Sequence, residues 1–425
     1  MRKKTCRIIS SFLSLTLVCA LLISSVCAYS LTGQHIGSTI SYTPYNGFGT
    51  TTISHFNEAL WQWNSNSGRA LMNRKATERH YSTNYPTNDG NSYIYAVNTG
   101  SDTYVAQNTW RYNTATNVIT ESDINLNMYH SWANSAQLGK YDVWSVFLHE
   151  AGHTAGLADL YSSSYSTSVM YGYSNTNTLK RYLAQDDING LTAIYGSSSL
   201  SSPAIANDII AQNKTGDNLP ESICVHSGTL KEFTYDDLLN NSTLIVRAKL
   251  TGTSDSFEIK PVFGESTSIF TDYYFVVDDV FLGDFDITSN LKVRIEGGKV
   301  GNQLLIAEEA PKLENGEEVI LFLYQPNMGG GYNTKDDSCY YITGLNQGVF
   351  YDAGDSNFVD CNNQKISSSA LKSTTEKMVV TSASQNHLYT AFIENAEENL
   401  KTGMITQSDY DRMMNEINQY AIIIK

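Results

Sequence analysis

Two histidines and a glutamate lie close together in the stretch HEAGH that begins at His149, within a segment that is otherwise apolar. On a helix, side chains four residues apart lie on one face, so His149 and His153 can direct two imidazole nitrogens toward the same metal ion. Imidazole nitrogens bind zinc at about 2.0–2.1 Å. Glu150 would then lie beside the metal, where its carboxylate can take a proton from an activated water. This spacing predicts a catalytic zinc site.

A third ligand is predicted shortly after this helix. Gly156 follows His153 at a point where a helix can end in a left-handed turn, which glycine adopts without strain. The chain could then bring Asp159 back toward the metal. Two histidines and one carboxylate with an open fourth position are an established catalytic arrangement for zinc. The alternatives are an ordinary amphipathic helix and a solvated aspartate beyond its end. We predict that His149, His153 and Asp159 hold one Zn²⁺ and that Glu150 is the catalytic base.

The elements that position these residues are predicted from apolar periodicity. A helix should run from Tyr141 to Gly156, with Asp142 near its start and one buried face. An earlier helix should be capped by Thr51 or Thr52 and stop near residues 66–69. Its buried positions should be Ile53, Phe56, Leu60 and Trp63. The segment 118–129 alternates polar and apolar side chains, which indicates a strand at a sheet edge. Further elements are predicted as strands at 39–46, 93–97 and 104–108 and a closing helix at 180–197.

The rest of the chain has a different pattern. Residues 197–240 are predicted as a linker or connecting segment, and residues 241–365 carry five strands without helical interruption. Such a run implies an antiparallel sandwich or a small barrel. Residues 366–425 are predicted as a helical C-terminal segment, with two helices joined at Thr402-Gly403. The expected fold class is α+β: a catalytic domain at 29–196, an all-β barrel or sandwich domain and a helical tail.

Residues 1–28 have the composition of a secretory signal peptide. Basic residues precede an apolar run that ends on the small residue Ala28. The run is short and diluted by Ser and Thr, and no second stretch is long enough to span a bilayer, so no transmembrane anchor is expected. The mature protein should be secreted and extracellular. Its formal net charge, −15 for the full chain, argues against nucleic acid as a partner.

The cysteines that remain beyond the signal peptide are Cys224, Cys339 and Cys361. They are too few for a disulfide scaffold in a secreted chain of this length. One loop could be closed by Cys339 and Cys361, which would leave Cys224 free. Stability is therefore expected to come from ordinary apolar cores.

The stretch HEAGHTAGLAD resembles the extended zinc signature of the metzincin metallopeptidases. The following Ser168-Val169-Met170-Tyr171 resembles their methionine turn, and ITESDINLNM before the helix and LAQDDINGLTAIYG after it are most similar to the matrixin branch. The resemblance covers residues 29–196. It implies a metzincin-like zinc endopeptidase, with a twisted mixed sheet and helices above the zinc cleft and a smaller subdomain below it.

The same resemblance assigns roles to residues that their own pattern does not mark. Met170 would form the hydrophobic floor under the metal. The strand that carries Ile124 and Leu126 would pair with the backbone of an extended peptide or protein substrate. Tyr171 is a candidate for supporting the transition state, although metzincins place a tyrosine two residues after the methionine, where this chain has Gly172.

Other departures from the family pattern concern metal ligands and latency. Matrixins have histidine where this chain has Asp159, and the aspartate is similar to the third ligand of snapalysins. The matrixin segment that binds a structural zinc and calcium has no counterpart, so Ca²⁺ binding is left without support. His80 and His130 are predicted as surface or packing residues. A cysteine-switch prosegment is not expected, because no cysteine of the mature chain precedes Cys224.

The second half resembles netrin-like modules with an OB-type barrel, which include tissue inhibitors of metalloproteinases. The resemblance rests on strand order in Leu244-IVRAKL, YYFVVDDVFLGD and NGEEVILFLY. It implies an intramolecular contact in which the β-rich domain restrains the catalytic domain. The alternative is a generic secreted β-module.

The expected function is that of a secreted zinc-dependent endopeptidase that hydrolyses extracellular proteins through a metal-activated water. One alternative is a non-catalytic secreted adhesin or binding protein on a metzincin scaffold. Another is a zinc hydrolase with a non-protein substrate. The presence of all of His149, Glu150, His153 and Asp159 favours an enzyme, because non-catalytic relatives usually lose the base or a ligand.

Overall fold

The computed structural model describes residues 29–100, 102–196, 222–259, 267–325, 339–376, 378 and 393–423. The predicted signal peptide and residues 197–221 of the predicted linker lie outside this set. None of the helices in the described ranges is both long enough and apolar enough to cross a lipid bilayer.

Helices of the described residues are α1 Thr50–Ser67, α2 Val143–Thr154, α3 Gln185–Tyr195, α4 Tyr235–Asn241, α5 Ser368–Thr375, α6 393–401 and α7 Gln407–Ile423. Strands of the first half are β1 Ser30–Leu31, β2 His35–Ile36, β3 Ile40–Pro44, β4 Met72–Arg74, β5 Ser92–Tyr95, β6 Ala106–Asn113, β7 Val118–Leu126, β8 Trp132–Ala133, β9 Tyr141–Asp142, β10 Leu157–Ala158 and β11 Tyr173–Ser174. Strands of the second half are β12 Ser222–Ser227, β13 Leu230–Lys231, β14 Leu244–Thr253, β15 Phe257–Ile259, β16 Ser268–Leu282, β17 Leu291–Glu296, β18 Gly298–Val300, β19 Gln303–Ala307, β20 Glu318–Tyr324, β21 Tyr341–Ile342, β22 Val349–Asp352, β23 Asn357–Val359 and β24 Lys365–Ser367.

A mixed sheet runs through both halves of the sequence. Its strand order is β18-β19-β12-β6-β7-β5-β3-β4, and β2 also pairs with β7. β6 and β7 are antiparallel, whereas β7, β5, β3 and β4 run parallel. β12 lies antiparallel to the other side of β6, and β19 follows it in parallel. The second half of the chain therefore extends a sheet that the first half begins.

α1 and α2 share a core with this sheet. The predicted apolar positions Ile53, Phe56, Leu60 and Trp63 of α1 are all buried. The helix begins after Gly49 without a side-chain cap, so the predicted capping role of Thr51 or Thr52 is wrong. Its C-terminus is as expected for a glycine stop, because Gly68 takes the left-handed conformation.

The strand predicted at the sheet edge lies inside the sheet. β7 is paired with β6 on one side and with β5 on the other, and Ile124 and Leu126 are completely buried. A substrate backbone cannot pair with a strand whose two edges are already hydrogen-bonded, so the predicted role of Ile124 and Leu126 is wrong. The polar residues of β7 face buried partners instead, as where Asp123 accepts from the backbone N–H of Thr87 at 2.8 Å.

The closing helix is shorter than predicted. α3 begins at Gln185, because residues 180–184 are used to hold the start of α2. The backbone N–H of Lys180 donates to Ser145 Oγ at 2.8 Å, and Arg181 Nε donates to Asp142 Oδ2 at 3.0 Å. Asp142 is the N-cap of α2, as its position predicted, and accepts from the backbone N–H of Ser145.

Residues 222–241 differ from the prediction of a connecting segment. They form β12, β13 and α4, and β12 pairs with β6 from Ser222↔Asn113 to Ser227↔Asn108. The sequence did not indicate this strand because its partners are far away along the chain. Only the short apolar run at 223–225 signals burial locally.

The strands from β14 onward form a second sheet, in the order β15-β16-β14-β20-β22-β23-β24, with β17 on β16 and β21 on β20. All of these pairs are antiparallel. Both faces are buried: Val246 and Leu321 join one apolar cluster, while Ile245 and Phe322 join another. No pairing among the described strands joins β15 to β24, so the barrel, one of the two expected architectures, is not seen there.

The three cysteines are free thiols, so the proposed bridge between Cys339 and Cys361 is absent. At the C-terminal end, α6 and α7 pack on the first half of the chain. Met404 and Ile405 belong to the same apolar core as α1 and α2. Asn399, which is fully buried, donates to the carbonyl of His130 at 2.6 Å and accepts from the backbone N–H of Trp132 at 3.0 Å.

Candidate metal centre

α2 brings the two imidazoles together on its cleft side. His149 Nε2 and His153 Nε2 are 3.2 Å apart, and both side chains are buried. Each Nδ1 lies against a backbone carbonyl, that of Val169 at 2.8 Å for His149 and that of Leu157 at 3.0 Å for His153. Because a carbonyl only accepts, each Nδ1 carries the proton, and the lone pair of each neutral imidazole is at Nε2.

Asp159 completes the group from the turn beyond the helix. Gly156 has φ +96°, and a Cβ at this position would lie 2.5 Å from the carbonyl oxygen of Gln34. The chain then passes through β10, which is paired with β1, and directs the Asp159 carboxylate back. Asp159 Oδ1 is 3.1 Å from His149 Nε2, and Oδ2 is 3.8 Å from His153 Nε2.

These donors fit a zinc ion. Ligand atoms at about 2.0–2.1 Å from a tetrahedral zinc are about 3.4 Å from one another, which is close to the observed separations. The ligand atoms of His149, His153 and Asp159 all lie within 4.8 Å of one another. Asp159 Oδ1 is buried without a hydrogen-bond partner among the described residues. Lone pairs that face one another in a buried site require a cation or a proton between them.

The charges in the site are strongly coupled. Burial lowers the pKa of His149, but the adjacent Asp159 carboxylate outweighs it and raises that pKa to about 9. Burial lowers the pKa of His153 to about 4. Burial raises the pKa of Asp159, but the two imidazoles outweigh it, and the net direction is down. A positive charge is thus stabilised at the point where the three side chains meet.

Glu150 is fully buried next to this group. Its Oε1 accepts hydrogen bonds from the backbone N–H of Thr229 at 2.9 Å and from Thr229 Oγ1 at 2.6 Å. Its Oε2 is buried without a hydrogen-bond partner among the described residues. Burial raises the pKa of Glu150 to about 7, close to the value that suits a base at neutral pH.

Met170 lies beneath α2. A Cβ at Gly152 would approach Met170 Sδ to 2.2 Å, so the sulfur packs against the helix between the two histidines. Asp187, which the sequence analysis did not single out, holds this turn. Its carboxylate accepts from the backbone N–H of Val169 at 3.0 Å and of Met170 at 3.2 Å. The only sequence signal was an acidic pair in the first turn of a helix, which usually marks a helix start.

The tyrosine nearest the metal ligands is Tyr161, not Tyr171. Tyr161 donates its hydroxyl to Asp159 Oδ2 at 3.2 Å. Burial raises the pKa of Tyr171 to about 12, the nearby Glu232 carboxylate adds to this rise, and Lys180 Nζ lies 4.6 Å from the ring centroid of Tyr171. Support of the transition state by Tyr171 stays a prediction, and Tyr161 is the tyrosine that contacts a predicted metal ligand. A Cβ at Gly172 would lie 2.5 Å from the Tyr161 ring, so Tyr161 fills the space beside that glycine.

Residues of the second half also reach the site, and the sequence did not predict them individually. Ser227 Oγ donates to Glu309 Oε1 at 2.6 Å and lies 3.3 Å from Asp159 Oδ2. Glu309 is fully buried, and burial raises its pKa well above the usual value. His80 and His130 lie away from this group, each buried with its Nε2 against a backbone carbonyl, as predicted for packing residues.

Comparison with known proteins locates the likeness in the first half of the chain. Residues 41–196 match the matrixin family of peptidases. A segment of 78 residues is 38% identical to human neutrophil collagenase, covering 18% of this chain and 16% of the collagenase. The chain thus spans far less than two thirds of that relative. The part of the chain that carries the metal centre is similar to matrixin metallopeptidases.

Proposed function

We propose that this chain is a secreted zinc-dependent endopeptidase that hydrolyses peptide bonds of extracellular proteins. The observation that carries the proposal is the convergence of His149, His153 and Asp159 beside the buried carboxylate of Glu150. The matrixin likeness of residues 41–196 supports the same reaction class. His149, His153 and Asp159 would hold the zinc, with Met170 packed beneath their helix.

Zinc, when bound, supplies a Lewis acid that polarises the scissile carbonyl and makes water a better nucleophile at neutral pH. Glu150 accepts the proton of the attacking water and delivers it to the amide nitrogen that leaves. The backbone carbonyls of Val169 and Leu157 fix the tautomer of each neutral imidazole, with the proton at Nδ1 and the lone pair at Nε2, where a cation can bind. Burial excludes bulk water from the base.

The test is metal content together with cleavage of casein or gelatin by the full chain. Wild-type protein purified with zinc should bind one equivalent and cleave these substrates. Glu150→Ala should keep the zinc and lose about 100- to 10,000-fold in rate, because the proton acceptor is gone. The matched control is Glu58→Ala, which removes an exposed glutamate of α1 and should leave the rate unchanged.

Two outcomes would contradict the proposal. One is protein that stays metal-free when zinc is offered. The other is proteolysis that survives the Glu150→Ala change. Bound zinc without proteolysis in any variant would instead favour the non-catalytic binding protein.

We also propose secretion, which is supported by the basic and apolar pattern of residues 1–28. Protein recovered from the medium should begin at Tyr29 when its N-terminus is sequenced. Retention of the first 28 residues in recovered protein would contradict this.

A further inference from the structure

An extended segment of the second half lies in a cleft of the first half. We define this cleft by β6 with residues 103–105 on one side and by residues 172–174 on the other. β12 runs antiparallel on β6 as far as Ser227↔Asn108. Beyond it, the backbone N–H of Val105 donates to the carbonyl of Thr229 at 2.8 Å, and that of Lys231 donates to the carbonyl of Thr103 at 2.8 Å. One side of the segment is therefore paired with β6 and the residues just before it.

The other side of the segment is paired with the chain that follows the Met170 turn. The backbone N–H of Leu230 donates to the carbonyl of Gly172 at 2.9 Å, and β13 is parallel to β11. Leu230 is fully buried in a cluster with Tyr104, Tyr171 and Tyr173. An extended chain that is hydrogen-bonded to a sheet edge, with one side chain in an apolar pocket, is bound in the mode that proteins use for extended peptides.

The segment contacts the residues proposed to act in catalysis. Thr229 occupies Oε1 of Glu150 with both its backbone N–H and its hydroxyl. Ser227 Oγ lies 3.3 Å from Asp159 Oδ2. Ser227 and Thr229 are themselves buried. A peptide substrate could not reach Glu150 or β6 without displacing these residues.

The second half fastens the segment from behind. Glu309 accepts from Ser227 Oγ at 2.6 Å and from the backbone N–H of Gly228 at 3.1 Å. β19 pairs with β12 from Cys224↔Leu305 to His226↔Ala307. β19 and the buried Glu309 carboxylate thus tether the segment beside the cleft. Its binding there is intramolecular, so its effective concentration at the cleft is high.

We propose that residues 227–231 are an intramolecular occupant of the peptidase cleft, fastened by Glu309, and that the intact chain is therefore partly latent and cleaves other peptides slowly until the segment is released. This inference rests on the proposed peptidase function. It identifies the occupant as a part of this chain, and it makes release of that segment the step that precedes cleavage of any other peptide.

Gly228→Ala tests the occupancy with the smallest available change. A Cβ at residue 228 would lie 2.3 Å from the carbonyl oxygen of Ala106 and 3.0 Å from Gln107 Cα, so the segment must move off the cleft rim. The matched control is Gly252→Ala in β14, where a Cβ would meet nothing within 4 Å. Neither glycine has a positive φ, so the released segment accepts alanine without strain.

The zinc-loaded full-length variants should be compared on a quenched fluorescent peptide of extended length. We expect Gly228→Ala to raise kcat/KM about 5- to 150-fold over wild type, the range expected for overpacking at a fixed backbone. Gly252→Ala should match wild type. Glu309→Ala should also raise kcat/KM, because it leaves Ser227 and the N–H of Gly228 without their acceptor.

Two further readouts do not depend on catalysis. Binding of a peptide hydroxamate should tighten in Gly228→Ala and Glu309→Ala, and hydrogen exchange at the amides of 229–231 should accelerate. If Gly228→Ala fails to fold, as judged by circular dichroism, Glu309→Ala and the wild-type exchange rates decide the question. Equal hydroxamate affinity in wild type and a folded variant would overturn latency, and so would cleavage of the wild-type chain at Gly228–Thr229.

Failure of the peptidase proposal would look different. Zinc-loaded variants that bind the hydroxamate more tightly than wild type but cleave no peptide would contradict the proposed reaction and still support the occupied cleft. Variants that cleave and bind like wild type would overturn the occupied cleft alone.

Discussion

The imidazoles of His149 and His153 are each held at Nδ1 by a backbone carbonyl, which directs Nε2 into the cleft. Burial opposes charge on both side chains, but their mutual attraction outweighs it, so the pKa of His149 is raised and that of Asp159 is lowered. Zinc binding at neutral pH should therefore release a proton. Contacts with groups that are not metal ligands therefore orient both imidazoles.

Tyr161 contacts a predicted metal ligand without being one, and replacing it by phenylalanine removes only the hydroxyl that makes this contact. Its hydroxyl donates to Asp159 Oδ2, which leaves Oδ1 facing His149. Tyr161→Phe should weaken zinc affinity about 10- to 100-fold, the usual effect of losing such a contact. Competition with a fluorescent zinc chelator measures it. Tyr81→Phe, at a tyrosine 74% exposed, should bind zinc like wild type. Equal affinities in both variants would show that Asp159 needs no support.

At the scale of elements, the turn at Met170 is joined to α3 by one carboxylate. Asp187 accepts hydrogen bonds from backbone N–H groups of the turn and from that of Ala184 at the start of the helix. The same side chain thus caps α3 and fixes the floor of the metal centre. A single residue couples two elements that the sequence pattern treats separately.

Asp187→Ala should lower the free energy of unfolding by about 2–4 kcal/mol, because buried N–H groups lose a charged acceptor. Asp186→Ala is the matched control, since it removes a carboxylate from the same helix turn with only the helix-dipole contribution, at most about 1 kcal/mol. Urea unfolding followed by tryptophan fluorescence compares them. Similar losses in the two variants would show that the turn does not depend on Asp187.

His130 lies between β7 and β8 and provides a pH dependence. Burial lowers its pKa from 6.5 to about 3. Because the folded-state pKa lies below the unfolded value, the contribution of neutral His130 to the free energy of unfolding is complete above pH 6.5. This contribution is lost as the pH falls toward 3. The slope from this one group is at most about 1.4 kcal/mol per pH unit.

His130→Gln keeps an N–H donor for the carbonyl of Tyr104 but cannot be protonated. We expect its free energy of unfolding to fall less than that of wild type between about pH 6.5 and about pH 4. Parallel curves for the two proteins in urea titrations across this range would contradict the assignment.

At the scale of the whole molecule, the two halves are joined by backbone hydrogen bonds rather than by side-chain contact alone. β12 continues the sheet of the first half, and α6 and α7 return to cover its core. The first half is therefore covered by segments that precede the second sheet in the sequence and by segments that follow it. The peptidase-like part of the chain should not unfold independently of the rest.

Asn399→Ala tests the return of the tail. Both backbone groups that Asn399 satisfies, at His130 and Trp132, would be left unpaired in a buried place. The free energy of unfolding should fall by about 2–4 kcal/mol. Glu397→Ala, at an exposed position of α6, should have little effect. A wild-type denaturation midpoint for Asn399→Ala would mean that the tail does not stabilise the first half.

The sequence alone predicted what depends on short-range spacing. Histidines four residues apart on a helix face one point, and Gly156 marks the end of that helix, so the group of His149, His153 and Glu150 could be placed from local geometry. The burial of α1, the N-cap at Asp142 and most strands of the second sheet followed from periodicity in the same way.

Only the tertiary structure decided which strand edges are paired and which segments cover the metal centre. Period-two alternation shows that β7 is a strand but not that both its edges are paired, so Ile124 and Leu126 were given the wrong role. The contacts of Thr229 with Glu150, of Asp187 with the Met170 turn and of Asn399 with His130 join residues far apart in the sequence. No local pattern encodes such pairs, because each partner would look the same along the chain if the other were absent.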